Sequence, residues 1–168
     1  EHEKRIKETK ILNDLIVDSS TVPIVVTDRN WKWIKVNPAF EELFGYKGEE
    51  ILGKTGYEIP IWTAEECQKA TNYVVSTLKK EGLRKHGELE ARCKTKDGRD
   101  LDILLMSVFL KKEASKNVGG ISYLFDITNL RELEKELRES RQCYYDLVEG
   151  VNSVVMRMNV NGTITFIN

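Results

Sequence analysis

The fold of this 168-residue chain is decided by residues 37–54, which read NPAFEELFGYKGEEILGK. Asn37 offers a side-chain acceptor at a helix N-terminus, and Pro38 follows at the first helical position, where its missing N–H costs little. Phe40 and Phe44 are four residues apart and therefore share one face of this short helix. The glycine that follows can take the left-handed conformation that ends a helix. The segment predicts a short, well-capped helix followed by a second helical turn.

Upstream of this segment, two runs rich in β-branched and aromatic residues flank a polar turn. The runs are residues 24–27 and 31–36, and Asp28-Arg29-Asn30 separates them. Such a pattern is typical of a β-hairpin. Trp31 and Trp33 are two residues apart, so both are expected on one face of the second strand.

Downstream, residues 63–80 predict the one long internal helix. Thr63 and Glu66 have the spacing of a capping box, and apolar side chains recur at helical spacing behind them. Two glycines, Gly119-Gly120, indicate a bulge or a close backbone approach in the last strand. The order of strands, then helices, then strands predicts an α+β fold with a five-stranded antiparallel sheet rather than a parallel doubly wound one. The three later strands are expected within residues 83–95, 99–110 and 118–127.

A helix is predicted at each end of this core. Residues 1–20 suit an amphipathic helix, and residues 129–150 suit a longer one that opens with Asn129 and Glu132 at capping-box spacing. Apolar residues recur at two heptad positions of the second helix, with Ser140 as the one polar break. This pattern indicates a seam for a partner helix. The alternative is a helix packed back on its own sheet. The candidate seam consists of Leu130, Leu133, Leu137, Tyr144 and Leu147.

Composition excludes several classes of protein. Lys and Arg number 26 against 27 Asp and Glu, so no overall field favours nucleic acid or an anionic membrane. No apolar stretch approaches the roughly 18 residues of a membrane span. The three cysteines are widely spaced and form no C-x-x-C pair, which favours a reducing, cytoplasmic location.

Catalytic and metal motifs are missing from the sequence. It contains no G-x-S-x-G, no H-E-x-x-H and no phosphate-binding glycine loop. An enzyme built on Cys67 or Cys93 would need a partner base that the sequence does not offer. The two histidines are His2 and His86, so residues 129–149 cannot be the phosphoacceptor helix of a histidine kinase. Any kinase activity is expected outside this chain, which we expect to be non-catalytic.

Five short motifs follow one another along the chain: Asn37-Pro38-Ala39-Phe40, Phe44-Gly45-Tyr46, Leu52-Gly53-Lys54, Thr95-Lys96-Asp97-Gly98-Arg99 and Asp126-Ile127-Thr128. In these motifs and in their order, residues 12–128 resemble the PAS domain family. The last two resemble the family's turn between its third and fourth strands and its C-terminal D-I-T sequence. The resemblance implies a sheet of order 2-1-5-4-3 covered by short helices and one long helix, with a pocket that often holds a ligand. It also implies a sensing or interaction role within a histidine kinase, cyclase or regulator.

The C-terminal residues repeat the start of the chain. Asp146-Leu147-Val148 retraces Asp14-Leu15-Ile16, 132 residues earlier, and residues 164–168 retrace residues 33–37, 131 residues earlier. Such a repeat indicates tandem domains. The expected organisation is an N-terminal helix or linker at 1–20, a PAS domain at 21–128, a signalling helix at 129–150 and the truncated start of a second PAS domain at 151–168.

The resemblance places a pocket between the long helix and the sheet. Haem-binding members that resemble oxygen sensors carry a histidine on the long helix, and residues 63–80 contain none. The cysteine motif of the light-sensing LOV branch is absent, and Cys67 stands in a different context, so both haem and a flavin adduct are disfavoured and the cofactor is unknown. Trp31, Trp33, Trp62, Tyr57 and Tyr123 could stack on a flat ligand. The expected lining is drawn from Phe40, Phe44, Leu52, Trp62, Val74, Met106, Ser122 and Leu124.

The resemblance implies a sensory relay module of a larger cytoplasmic signalling protein, a sensor histidine kinase above all. A small ligand or partner would alter the fifth strand, and Asp126, Ile127 and Thr128 would pass the change to the following coiled coil. The expected partners are a second copy, joined through the flanking helices, and an output domain in the same parent chain. The alternative is a ligand-free module that only dimerises the parent or binds other proteins.

Overall fold

The computed structural model describes residues 1–79, 84–112, 116–149 and 156–167. They divide into two compact units, Glu1–Thr128 and Asn129–Asn168. Within the described ranges, no helix is both long enough and apolar enough to cross a membrane. Three predicted bounds fall outside the described residues: the end of the long internal helix at residue 80, the start of the third strand at residue 83 and the end of the C-terminal helix at residue 150.

The first unit contains the predicted five-stranded antiparallel sheet. Its strands lie in the order β2-β1-β5-β4-β3, and every neighbouring pair is antiparallel, so the predicted topology is confirmed. The chain brings the first hairpin beside the last strand because β1 pairs with β5, from Ile24 opposite Tyr123 to Asp28 opposite Gly119. The strands are β1 (Ile24–Asp28), β2 (Trp33–Val36), β3 (Arg84–Lys94), β4 (Asp100–Lys112) and β5 (Lys116–Asp126).

In the described part of this unit, four helices accompany the sheet: α1 (His2–Asp18), α2 (Pro38–Phe44), α3 (Gly48–Ile51) and α4 (Ala64–Lys79). Asn37 caps α2 by accepting a hydrogen bond from the Phe40 N–H, and Gly45 ends the helix at φ 75°. The Thr63 hydroxyl accepts from the Glu66 N–H at 3.3 Å, which is half of the predicted capping box of α4. The sequence-based capping prediction for α2 is confirmed.

Helix α1 is attached to the domain by polar contacts. None of its residues is buried. The Lys35 ammonium lies 2.6 Å from Asp14 Oδ1 and 3.1 Å from Asp18 Oδ1. The Asn37 side-chain amide donates to the carbonyl of Val17 near the end of the helix.

The turn of the first hairpin differs from the predicted one. Strand β2 begins at Trp33, so Trp31 belongs to the turn, where it takes a left-handed φ of 63°. The Asp28 carboxylate closes this turn by accepting from the N–H groups of Asn30 and Lys32, at 2.8 and 2.9 Å. Because of this tight turn, β2 begins two residues later than the hydrophobic pattern indicates.

The core lies between the sheet and the helices α2 and α3. Phe40 and Phe44 are fully buried and stack with ring centroids 4.6 Å apart, and Trp33 meets Phe40 edge-on at 5.4 Å. The core cluster comprises Val25, Trp33, Phe40, Phe44, Ile51, Ile59, Ile61, Cys93, Leu101, Ile103 and Leu124.

The two glycines at 119 and 120 allow a close backbone approach, as predicted. A Cβ on Gly119 would lie 2.2 Å from the Thr27 carbonyl oxygen, and one on Gly120 would lie 2.5 Å from the Phe109 ring. Larger residues would separate β5 from β1 and displace Phe109.

Helix α5 (Thr128–Glu149) begins at the last residue of the first unit and continues into the second. The second unit also contains a two-stranded sheet of β6 (Met156–Met158) and β7 (Ile164–Ile167). Helix α5 begins at Thr128, one residue early, so Asn129 lies within its first turn and is not the predicted N-cap. The turn between β6 and β7 repeats the first hairpin. Asn159 Oδ1 accepts from the N–H groups of Asn161 and Thr163, at 3.0 and 2.9 Å.

Candidate ligand cavity and signal junction

A cavity of about 290 Å³ lies between α4 and the inner face of the sheet. Within the described residues it is lined by Val25, Thr27, Trp31, Trp33, Gly56, Tyr57, Trp62, Ala70, Thr71, Tyr73, Val74, Val75, Leu105, Ser107, Phe109, Ser122 and Leu124. The volume is near the lower end of the range for small-molecule sites, which are mostly apolar with a few polar groups. The sequence produces this composition because α4 contributes Ala70, Tyr73 and Val74 at helical spacing, and β4 and β5 contribute alternate residues.

Aromatic side chains form much of the wall, and all three tryptophans of the chain are among them. Backbone contacts position all three, and the Trp31 N–H donates to the Asp28 carbonyl at 3.1 Å. The Trp33 N–H donates to the Lys54 carbonyl at 2.9 Å, and Trp62 forms an isolated β-bridge with Cys93. Trp31 meets Phe109 edge-on, with ring centroids 5.4 Å apart. Flat aromatic walls favour a flat occupant.

One part of the cavity is polar. The Ser107 and Ser122 hydroxyls, on neighbouring strands, are hydrogen-bonded to each other at 2.8 Å. The Tyr73 hydroxyl oxygen is buried and has no hydrogen-bond partner among the described residues. Burial raises the pKa of Tyr73, and the nearby Ser107 opposes that rise without completing a hydrogen bond. Tyr73 reaches this position because residue 87 is glycine: a Cβ there would lie 2.8 Å from the Tyr73 hydroxyl.

The predicted pocket residues divide into three groups. Trp62, Val74, Ser122 and Leu124 line the cavity. Phe40 and Phe44 are packed in the adjoining core instead.

Leu52 and Met106 lie outside the cavity, at 41% and 37% exposure. Met106 is on the opposite face of β4 from Leu105 and Ser107, because side chains alternate along a strand. Leu52 follows the last residue of α3 and stays at the surface. Whether the cavity binds a ligand stays a prediction.

Several lining residues were not predicted. Tyr73 and Phe109 are absent from the expected lining. Tyr73 is three residues from Ala70 and so lies on the same face of α4, and Phe109 is two residues from Ser107 and so lies on the same face of β4. Trp31, Trp33 and Tyr57, considered as stacking residues, do line the cavity, whereas Tyr123 does not. The helical and strand spacings are the signals that identify these residues.

The segment at residues 126–128 is fixed to the start of β4. The Thr128 hydroxyl accepts from the Asp102 N–H at 3.0 Å and donates to Asp126 Oδ1 at 2.6 Å. The Thr128 N–H also donates to Asp126 Oδ1, at 2.9 Å. The Ile127 N–H donates to the Asp102 carbonyl at 2.9 Å. The first residue of α5 is therefore held by side-chain and backbone bonds to the sheet.

The three cysteines are free. Burial, aided by Asp126 and Asp102, raises the pKa of Cys93 to about 12, and burial also raises the pKa of Cys67. Neither lines the cavity. Both thiols are held in the unreactive protonated form at neutral pH.

The leucines of the predicted seam are exposed within the single chain. Leu130, Leu133, Leu137 and Leu147 are between 54% and 65% exposed. Tyr144, by contrast, contacts its own hairpin: its hydroxyl lies 2.6 Å from Arg157 Nη2, and its ring lies 6.5 Å from that of Phe166. The case for a seam thus depends on the four leucines.

Comparison with known proteins agrees with this geometry. The sequence model of a PAS domain family matches residues 21–129. The chain therefore belongs to the PAS domain family, whose domains are sensory, non-catalytic modules.

Three similar proteins can be named. The signal transduction histidine-protein kinase AtoS of Escherichia coli (strain K12) is 23% identical over 137 residues, which is 82% of this chain but 21% of that kinase. The PAS domain of a protein from Colwellia psychrerythraea is 27% identical with a TM-score of 0.61, covering 72% of this chain and 98% of that one. A sensory box histidine kinase/response regulator structure from Burkholderia thailandensis E264 is 18% identical with a TM-score of 0.59, covering 78% and 95% of the two chains.

Proposed function

We propose that this PAS domain senses a small molecule in the cavity and passes the signal through residues 126–128 to α5. The observation that carries the proposal is the course of β5. Ser122 and Leu124 line the cavity, and Asp126 follows at the same parity, hydrogen-bonded to the first residue of α5. A displacement of β5 by an occupant would therefore strain the bonds that set the start of α5. A coupling of about 1–3 kcal/mol is enough for such a relay.

Helix α5 pairs with α5 of a second copy in this proposal. The leucines at 130, 133, 137 and 147 support the pairing, because they follow the a and d spacing of a coiled coil and are exposed in the part of the chain that the structure describes. Such pairing alone is the second candidate function: a dimerisation module that needs no ligand.

The parent protein in this proposal is a sensor histidine kinase with its output domain in the same chain. The similarity to the Escherichia coli kinase supports this, although this chain spans about a fifth of that kinase. Residues 156–167 would be the first hairpin of a second PAS unit, and the shared turn geometry supports that assignment. The free cysteines support a cytoplasmic location.

The relay can be tested without a ligand by filling the cavity from within. Val74→Trp places an indole in the cavity from α4, and Asn72→Trp places one on the exposed side of the same helix as a control. Amide hydrogen exchange of residues 128–149 is then measured in both variants. We expect Val74→Trp to change exchange in the first turns of α5 and Asn72→Trp to leave it unchanged.

The junction is tested in the same experiment. Thr128→Val keeps the shape of the side chain and removes both hydroxyl bonds, whereas Thr128→Ser keeps a hydroxyl. The effect of Val74→Trp should disappear with valine and persist with serine. Equal exchange in Val74→Trp and wild type would reject the relay and favour the ligand-free dimerisation module.

A further inference from the structure

The walls of the cavity restrict the charge of an occupant. Among the described side chains that line it there is no Asp, Glu, Lys, Arg or His. A charged group moved from water into such a site loses its hydration without gaining a partner, which is strongly unfavourable. An uncharged occupant is favoured.

The shape and surface of the walls restrict its form. Trp31, Trp33, Trp62, Tyr73 and Phe109 supply aromatic faces and edges around about 290 Å³. Aromatic pairs bind best in offset-stacked or edge-to-face arrangements, which a planar ring system can adopt with several of these side chains at once.

The Tyr73 hydroxyl is buried at the cavity and has no hydrogen-bond partner among the described residues. Ser107, which is close enough to oppose the rise in the pKa of Tyr73, bonds to Ser122. A buried hydroxyl without a partner carries a desolvation cost that an added acceptor would remove. A phenol hydroxyl donates readily, because its lone pair is partly delocalised into the ring.

We infer that the cavity takes an uncharged, planar aromatic molecule that accepts a hydrogen bond from the Tyr73 hydroxyl. This inference rests on the proposed sensory function of the cavity and specifies the class of ligand. Tyr73 is the residue that distinguishes a ring with an acceptor from a plain hydrocarbon of the same shape.

A matched set of probes tests each part of the inference. Naphthalene has the shape without an acceptor, quinoline adds one ring nitrogen, 2-naphthoate adds a negative charge and N-methylquinolinium a positive one. Binding to the full chain is followed by tryptophan fluorescence, corrected for absorption by the probe, because all three tryptophans line the cavity. The measurements are repeated with Tyr73→Phe and with Tyr123→Phe, whose tyrosine does not line the cavity.

In wild type, quinoline should bind about fivefold more tightly than naphthalene, as one net hydrogen bond allows. Tyr73→Phe should bring this ratio close to one with naphthalene binding retained, and Tyr123→Phe should leave the ratio unchanged. Both charged probes should bind at least about tenfold more weakly than naphthalene. Equal binding of quinoline and naphthalene, a ratio that survives Tyr73→Phe, a preferred charged probe, or no binding by any probe would each overturn the inference.

The outcomes separate this inference from the relay. The exchange experiment with Val74→Trp needs no ligand, so the relay can hold while the probe series rejects the ligand class. Conversely, probes that bind as expected would leave the ligand class standing even if Val74→Trp did not alter α5.

Discussion

Trp31 and Gly162 occupy the same position in two equivalent turns, with left-handed φ angles of 63° and 78°. In each turn the side-chain oxygen of an earlier residue, Asp28 or Asn159, accepts from the N–H groups two and four residues further on. Glycine adopts this left-handed conformation freely, whereas for a residue with a Cβ the conformation costs about 1–2 kcal/mol of free energy. The first hairpin bears this cost at the residue whose indole packs on Phe109 at the cavity wall.

The strain at Trp31 can be measured with two substitutions that both remove the indole. Trp31→Gly should be more stable than Trp31→Ala by about 1 kcal/mol, because alanine must still adopt the left-handed φ. The free energy of unfolding from urea titrations gives the comparison. Alanine equal to or more stable than glycine would mean that the turn is not strained.

Asn37 is fully buried and links the end of α1, the start of β1 and the first turn of α2. Its Oδ1 accepts from the N–H groups of Ile24 and Phe40, and its Nδ2 donates to three carbonyls, the nearest being Val22 at 2.9 Å. Asn37→Asp removes the donors and buries a carboxylate against carbonyl oxygens, so it should cost at least about 3 kcal/mol at pH 8.

Chemical denaturation of this variant at pH 8 and pH 5 provides the check. Burial would raise the pKa of the new carboxyl, so part of the lost stability should return as the pH falls and the group is protonated. Asn37→Ser, which keeps an N-cap acceptor and adds no charge, is the control. A pH-independent loss equal to that of the serine variant would contradict this description of Asn37.

Cys93 predicts a specific loss of stability in alkali. Its pKa is about 12 in the folded domain against an ordinary value of 9.0, mainly because it is buried. The contribution of this thiol to the free energy of unfolding is fully present below pH 9. It falls by up to roughly 1.4 kcal/mol per pH unit between pH 9 and about 12, because the unfolded thiol ionises there and the folded one does not. The decline above pH 9 should be shallower in Cys93→Ala, and equal slopes in the two proteins would refute the prediction.

The exposed leucines of α5 predict a change in oligomeric state. Leu137→Lys places a charge in the proposed seam, whereas Glu136→Lys changes the net charge at the neighbouring exposed position. Analytical ultracentrifugation should show a dimer for wild type and Glu136→Lys and a monomer for Leu137→Lys. A wild-type monomer, or a dimer that Leu137→Lys leaves intact, would argue against the seam.

The sheet and the capped helix could be predicted from sequence because local signals agree with the tertiary structure. Asn37-Pro38 and Gly45 carry their own capping chemistry, and the strands are bounded by turn residues. The turn at Trp31 could not be predicted, since the Asp28 side chain stabilises a conformation that tryptophan disfavours on its own.

The candidate site was only partly predictable for a related reason. Strand β4 is apolar on both faces, with Leu104, Met106 and Val108 on one and Leu105 and Phe109 on the other, so alternation of hydrophobicity does not identify the inner face. Pairing does identify it: Ser107 lies opposite Ser122, and both line the cavity. Such pairing depends on the register between distant strands, which composition alone does not determine.

The central claim is that a change in the cavity alters α5 through the hydrogen bonds of Thr128. It is tested most directly by measuring the distance between the α5 helices of two copies. Cys143 is exposed on this helix and can carry a spin label once Cys67→Ala and Cys93→Ala have removed the other thiols. Double electron–electron resonance should give one distance distribution for the otherwise unchanged chain and a shifted one for Val74→Trp, with the shift abolished by Thr128→Val. A distribution that Val74→Trp leaves unchanged, or a shift that persists without the Thr128 hydroxyl, would contradict the account.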